Sequence, residues 1–215
     1  MKGPSRRPDF IQRRHEARTW NAEEINSRIQ SIPNLKYRTI LALVFLTDSR
    51  ISEICLLKYS DVYRWVFNGE DGLVFNIKVE KRKDNFIKQI PILRSKEQEF
   101  LPLLNLVDRW LRSHKPLSDG YLFGNPEIVI RKRYKSADGY WRKGNIDNKL
   151  RKKVYNLMIK KGLNPHQFRH ARSSYLVRYR NIGIFLLKAM GGWKKIQQPL
   201  SYIEDLGVEE LARIV

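Results

Sequence analysis

The stretch Val62–Leu93, "VYRWVFNGEDGLVFNIKVEKRKDNFIKQIPIL", is where the chain changes its period. Three runs rich in β-branched and aromatic residues, "VYRWVFN", "LVFNIKVEK" and "FIKQIPIL", are separated by a turn at "GEDG" and a tight turn at "KDN". Runs of this composition between turn signals predict a three-stranded antiparallel sheet.

Helical periodicity lies on both sides of it. Upstream, "TWNAEEINSRIQSI" opens a helix with Asn21 as N-cap, and "KYRTILALVFLT" is a strongly apolar helix that should pack inward. In "SRISEICLLKYSDV" the apolar Ile51, Ile54 and Leu57 recur at helical spacing, which puts Arg50 near the start of a helix and Glu53 one turn on. Downstream, "SKEQEFLPLLNLVDRWLRSH" reads as helix, with Pro102 marking a kink or a late start. Residues 115–144 read as irregular. Helices resume with "NIDNKLRKKVYNLMIKKGL", "PHQFRHARSSYLVRYR" and "IGIFLLKAM", and two short ones follow around "QPLSYIEDL" and "VEELARIV". The expected fold is mainly α with a small three-stranded antiparallel β-sheet.

A chain of 215 residues has room for one substantial core. Its 42 Lys and Arg against 22 Asp and Glu leave a formal net charge of +20, which calls for a polyanionic partner, nucleic acid first. No window reaches the roughly 18 consecutive apolar residues of a membrane span. Residues 1–18 are basic and polar, so they form an expected flexible arm and not a secretory signal. The single cysteine, Cys55, lies among apolar residues, which suits a small core side chain in a reducing compartment and leaves no disulfide framework.

Two segments carry candidate chemistry. "RKRYKSADGYWRKG" interleaves Arg131, Lys132, Arg133, Lys135, Arg142 and Lys143 with aromatic rings; it is either a solvated loop or a surface that tracks a DNA backbone. In "NPHQFRHARSSYL" His166 and His170 share a helical face, but Gln167 stands where the zinc-protease pattern requires glutamate, so no metal site is expected. His166 and Arg169 are helical neighbours of a kind that handles phosphate.

The order of these features resembles the tyrosine recombinase family, the phage integrases and Xer-like recombinases, over about residues 20–205. "TDSRISEI" matches the family's T-G-x-R-I-S-E-L box with Asp48 in place of the usual glycine, and "HQFRH" meets its H-x-L-R-H box. Lys83 stands eight residues before Pro91 of a V-P-L-like strand, the place of the family's hairpin lysine; Lys81, on the same face of a strand, stays an alternative. "GGW" ends at Trp193, where the family usually has histidine and sometimes tryptophan, and Tyr202 follows nine residues later at the nucleophile's place.

The resemblance implies the tyrosine recombinase catalytic-domain fold of DNA breaking-rejoining enzymes and a site-specific recombinase or integrase that works through a 3′-phosphotyrosine without metal or other cofactor. Tyr202 is the implied nucleophile. Arg50 and Arg169 would hold the non-bridging phosphate oxygens, His166 accept the phenolic proton, Lys83 protonate the leaving 5′ oxygen, and Trp193 donate an indole N–H to a phosphate oxygen. Glu53 is expected to orient the basic groups and His170 to be structural. Singly, each of these residues would pass for an ordinary ion pair, turn lysine or core aromatic.

Most members carry an N-terminal core-binding domain, which this sequence is expected to lack; residues 19–215 are expected to form the catalytic domain. Expected partners are double-stranded DNA and further copies of the chain: a tetramer on paired sites, a monomer or weak oligomer when free. No membrane is expected, and the implied setting is the cytoplasm, at the nucleoid or, for a viral protein, in the host cell; a mobile element or virus is the expected source. Two rival functions are a type IB topoisomerase-like relaxing enzyme and a non-catalytic DNA-binding relative. The apolar residues of "IEDLGVEELARIV" suggest a terminal helix that docks on a neighbouring protomer or on its own domain.

Overall fold

The structure, a computed structural model, describes residues 19–80, 84–114, 120–126, 128–130, 134–135, 141–142 and 146–203. It is mainly helical, with the small three-stranded sheet that the sequence predicts.

Asn21 caps α1 (Ala22–Gln30): its side chain accepts from the Glu24 N–H, and the Glu24 carboxylate accepts from the Asn21 N–H. Helix α2 (Leu35–Leu46), capped by Asn34, is buried without interruption from Thr39 to Leu46 and forms the axis of the core. The next helix is shorter than its periodicity suggests. α3 runs only from Ile51 to Cys55, because the Leu56 and Leu57 N–H groups tighten onto the Glu53 and Ile54 carbonyls and the Leu57 carbonyl then accepts from the Leu122 N–H. Leu57 is buried all the same. So is Cys55, whose thiol burial pushes up to about 12.

Strands β1 (Val62–Phe67), β2 (Glu70–Lys78) and β3 (Ile87–Leu93) pair antiparallel in the order β1-β2-β3. The first turn lies earlier than "GEDG". Phe67 pairs with Glu70 across Asn68 and Gly69, which both have positive φ (51° and 79°), so Asn-Gly forms the tight two-residue hairpin and Glu70–Gly72 belong to β2. Strand β3 alternates: Lys88, Ile90 and Ile92 point into the protein, whereas Ile87, Gln89 and Pro91 face out.

Pro102 marks a late start. Residues Ser95–Phe100 form 3₁₀ turns with a break at Glu97, and α4 (Leu101–Ser113) begins with the proline in its first turn. Part of the segment expected to be irregular is extended: β4 (Ile128–Ile130) pairs with β7 (Ile146–Asn148), and β5 (Tyr134–Lys135) with β6 (Trp141–Arg142). Asn148 then caps α5 (Lys149–Lys160), so "IDN" is strand where helix was expected. Helices α6 (Pro165–Arg180), α7 (Ile184–Gly191) and α8 (Gln197–Ile203) complete the described chain. The arm at residues 1–18 and the helix expected around "VEELARIV" lie outside the described residues.

One core gathers α1 to α4, the inner face of the sheet, α5 and the buried side of α6. A smaller cluster of Leu176, Val177, Leu187, Trp193 and Tyr202 ties α7 and α8 to the far half of α6. Against the main core lies a buried ion pair, Arg172 to Glu97, with Nη1–Oε2 of 2.9 Å and Nη2–Oε1 of 2.5 Å, which fixes α6 to the 3₁₀ segment.

Candidate active site

The turn between α2 and α3 is the first element of the site. Thr47, Asp48 and Ser49 are fully buried there, and Asp48 takes φ of 49°. This left-handed conformation suits glycine, the usual residue of the box, and among other residues it is best tolerated by Asn and Asp. Aspartate brings a carboxylate with it. Oδ1 accepts a hydrogen bond from Ser173 Oγ at 3.1 Å and lies 3.7 Å from Arg169 Nε. Burial raises the Asp48 carboxyl above the ordinary range, while the charges of Arg169 and Lys88 act against that rise.

Arg50 occupies the N-cap position of α3. Glu53, buried one turn on, holds it twice: Oε2 accepts from the Arg50 backbone N–H at 2.9 Å and Oε1 from Nη1 at 2.6 Å. The carboxylate is out of water and the guanidinium is partly exposed (side chains 0% and 15%), so one edge of the fork is anchored and the arginine still reaches the surface. Glu53 thus meets Arg50 directly, at both its backbone and its guanidinium.

Helix α6 supplies the next groups. Asn164 and Gln167 close a capping box around Pro165, so the helix starts sharply and holds His166 exposed within an otherwise buried first turn. One turn on, Arg169 is buried. Nη2 donates to the Gly191 carbonyl at 2.5 Å, and Cζ lies 5.0 Å from the ring centroid of Trp193. Its Nη1 is buried with no hydrogen-bond partner among the described residues, a donor whose need an anionic oxygen would meet.

Trp193 and Tyr202 complete the layer. Gly192, at φ 62°, caps α7, and a Cβ on Gly191 would come within 2.6 Å of the Trp193 ring. The two glycines of "GGW" therefore let the indole fold back against the end of its own helix. The rings of Trp193 and Tyr202 stack with centroids 5.7 Å apart, and the Tyr202 hydroxyl hydrogen-bonds His170 Nδ1. His170, expected to be structural, thus touches the phenol itself.

Sequence reasoning missed Lys88. It is almost fully buried, and its Nζ donates to the carbonyls of Thr47 (3.1 Å), Asp48 (3.1 Å) and Met190 (2.5 Å). Burial, reinforced by the charge of Arg169, pushes it down to about 7, while Asp48 and Glu53 act in the opposite direction. A signal was present: in the alternation of β3, Lys88 falls in phase with Ile90 and Ile92.

Lys83, with its alternative Lys81, lies outside the described residues, as do Arg131, Lys132, Arg133 and Lys143. Lys135 and Arg142 fall on β5 and β6, with Tyr134 opposite Arg142 and Lys135 opposite Trp141, so the run of basic and aromatic residues is in part a hairpin.

Arg50, Arg169, Trp193 and Tyr202, far apart in sequence, thus lie in linked segments in the order of the motifs. A sequence model described as the phage integrase family matches residues 18–206. The chain belongs to the phage integrase family. A curated relative, tyrosine recombinase XerA of Pyrococcus horikoshii, is 27% identical over 177 residues, covering 79% of this chain and 50% of the relative. The chain therefore spans about half the length of the curated relative it matches. Among solved structures, XerA recombinase superposes with a TM-score of 0.52 at 18% identity, covering 100% of this chain and 65% of that one. The XerH site-specific recombinase bound to its difH substrate, in a pre-cleavage complex, gives 0.53 at 17% identity, with 89% and 51% covered. These likenesses show the phage integrase catalytic fold.

Proposed function

We propose that this chain is the DNA-cleaving and rejoining part of a site-specific tyrosine recombinase or integrase, with residues 19–215 as its catalytic domain. The observation that carries the reading is that the Trp193 ring meets both the Arg169 guanidinium, whose buried Nη1 has no partner among the described residues, and the phenol ring of Tyr202.

In the proposed reaction the Tyr202 oxygen attacks a backbone phosphorus, the bond from phosphorus to the 5′ oxygen breaks, and a 3′-phosphotyrosine and a free 5′ hydroxyl result. The phenolic proton passes to an imidazole: His166 on family resemblance, or His170, which already bonds the hydroxyl. Arg50 and Arg169 neutralise the charge that builds on the non-bridging oxygens, and the Trp193 indole N–H binds one of them. Lys83 protonates the leaving oxygen. Attack by a second 5′ hydroxyl on the phosphotyrosine releases Tyr202 and joins the new strands; one phosphoester is exchanged for another, so no cofactor is consumed.

DNA is the proposed partner. The net charge of +20 supports it, as do the basic residues of the β5–β6 segment. Joining two duplexes calls for several subunits, and a tetramer on paired sites is the proposed assembly; Phe185 and Leu186, 78% and 58% exposed on α7, support self-association. A mobile element or virus acting in a host cytoplasm is the proposed setting. Among the described residues no helix is long and apolar enough to cross a membrane.

The test is covalent trapping. The protein is incubated with sheared genomic and random-sequence DNA in EDTA, stopped with SDS, and the attached fragments are sequenced, with Tyr202→Phe as control. Fragments present only with the wild type support the reading, and a shared sequence among them marks a specific site. Attachment without sequence preference, together with relaxation of supercoils by monomers, would instead indicate a topoisomerase-like enzyme. DNA retention with no attachment would indicate a binding protein.

A further inference from the structure

We infer that Lys88 is a positioning residue for strand cleavage: from the inner face of β3 it ties the turn that presents Arg50 to the helix end that presents Arg169's acceptor and Trp193. The inference rests on the recombinase reading above and adds to it a residue outside the motif boxes.

The geometry is specific. An ammonium has three N–H donors, and Lys88 Nζ finds three backbone acceptors within 3.1 Å, at Thr47, Asp48 and Met190. Two of these carbonyls belong to the turn that leads into Arg50. The third precedes Gly191, whose own carbonyl accepts from Arg169, and Trp193 follows two residues later. A single nitrogen thus joins segments 102 residues apart, Lys88 to Met190, and 40 apart, Lys88 to Asp48. None of its bonds reaches the solvent face, so Lys88 acts through the groups it holds.

A lysine used only to fill space would be a poor choice here. Burying an ammonium is costly, and an apolar residue in phase with Ile90 and Ile92 would pack the same strand face at no such cost. What an apolar side chain cannot do is satisfy three carbonyls that converge from two loops. The charged groups facing Lys88 are Asp48, Glu53, Arg50 and Arg169, every one of them tied to the phosphate-binding layer. A neutral amine keeps only two donors, so raising the pH through its titration weakens the tie and gives cleavage an alkaline limb.

The experiment uses Lys88→Met and Lys88→Gln in the full chain. Amide hydrogen exchange is measured over Thr47–Arg50 and Met190–Trp193, and single-turnover cleavage is followed on a fragment recovered by the trapping above. The expected result is exchange at least about tenfold faster in both segments together, with protection in α1 and α4 unchanged. Lys88→Met should cleave at least about tenfold more slowly while retaining DNA within about threefold of wild type, and it should lose the alkaline limb; Lys88→Gln, with two donors, should fall between.

A uniform loss of protection, or an unchanged cleavage rate per folded molecule, would overturn the inference. Should Lys88→Met fail to fold, the exchange pattern of Lys88→Gln decides, local loss supporting the tie and uniform loss rejecting it. If the wild type itself forms no adduct, the recombinase reading fails, and the exchange data alone then accept or reject the tie.

Discussion

The carboxylate of Asp48 lies 3.7 Å from Nε of Arg169, and both groups are buried. The residue by which this chain departs from its family's first box thus touches the arginine of the second. Replacing Asp48 by Gly relieves a left-handed backbone, worth up to about 1 kcal/mol, but strips the countercharge from Arg169 and Lys88. The loss should win, and Asp48→Gly should be less stable by about 1–3 kcal/mol, read from urea unfolding. Asp48→Asn keeps the backbone preference and should isolate the charge.

His170 meets the Tyr202 hydroxyl and is expected to contribute to its activation. Removing a group that accepts a proton in the transition state costs about 10²-fold or more. Both His170→Ala and His170→Asn should cut covalent adduct formation to that extent while DNA retention stays unchanged, measured by single-turnover cleavage. Full activity of His170→Asn would show that the imidazole only orients the phenol.

Arg172 and Glu97 form a two-point buried pair. Arg172→Met alone leaves an uncompensated carboxylate and should cost about 3–5 kcal/mol, whereas Arg172→Met with Glu97→Met should recover most of the loss. The double-mutant cycle in urea measures the coupling.

Stability should also depend on pH through Lys88. Its value is pushed down from 10.5 to about 7 in the folded protein, so between those two values the unfolded chain binds the extra proton. Folding then becomes more favourable as pH rises across that window, and this contribution is lost as pH falls through about 7. Wild-type stability minus that of Lys88→Met should increase from pH 7 to 10 with a slope approaching about 1.4 kcal/mol per unit. Unfolding at three pH values in that range checks the sign.

How far the sequence reveals this site depends on the kind of signal. Arg50, Glu53, His166, Arg169, Trp193 and Tyr202 can be singled out because motif order and spacing are local properties of the chain, while the roles assigned to them come from the family resemblance. The helices and the sheet are readable for the same reason, down to Asn21 as a cap. The Asn68-Gly69 turn is masked in the sequence because Glu70–Gly72 have turn-like composition, although they are the start of β2. Leu57 has helical spacing but leaves the helix, because its carbonyl is taken by Leu122, more than sixty residues away. Lys88 and His170 owe their places to partners on other elements, and no periodicity within β3 or α6 names those partners.

Cys55 closes on a practical point. It is the single cysteine of the chain, it is buried, and its thiol titrates near about 12, so at ordinary pH almost none of it is thiolate. The molecule is in effect silent toward maleimides. A cysteine placed at exposed Ile87, next to Lys88, would take one fluorophore without any background deletion, giving a direct optical report on the hairpin as DNA arrives.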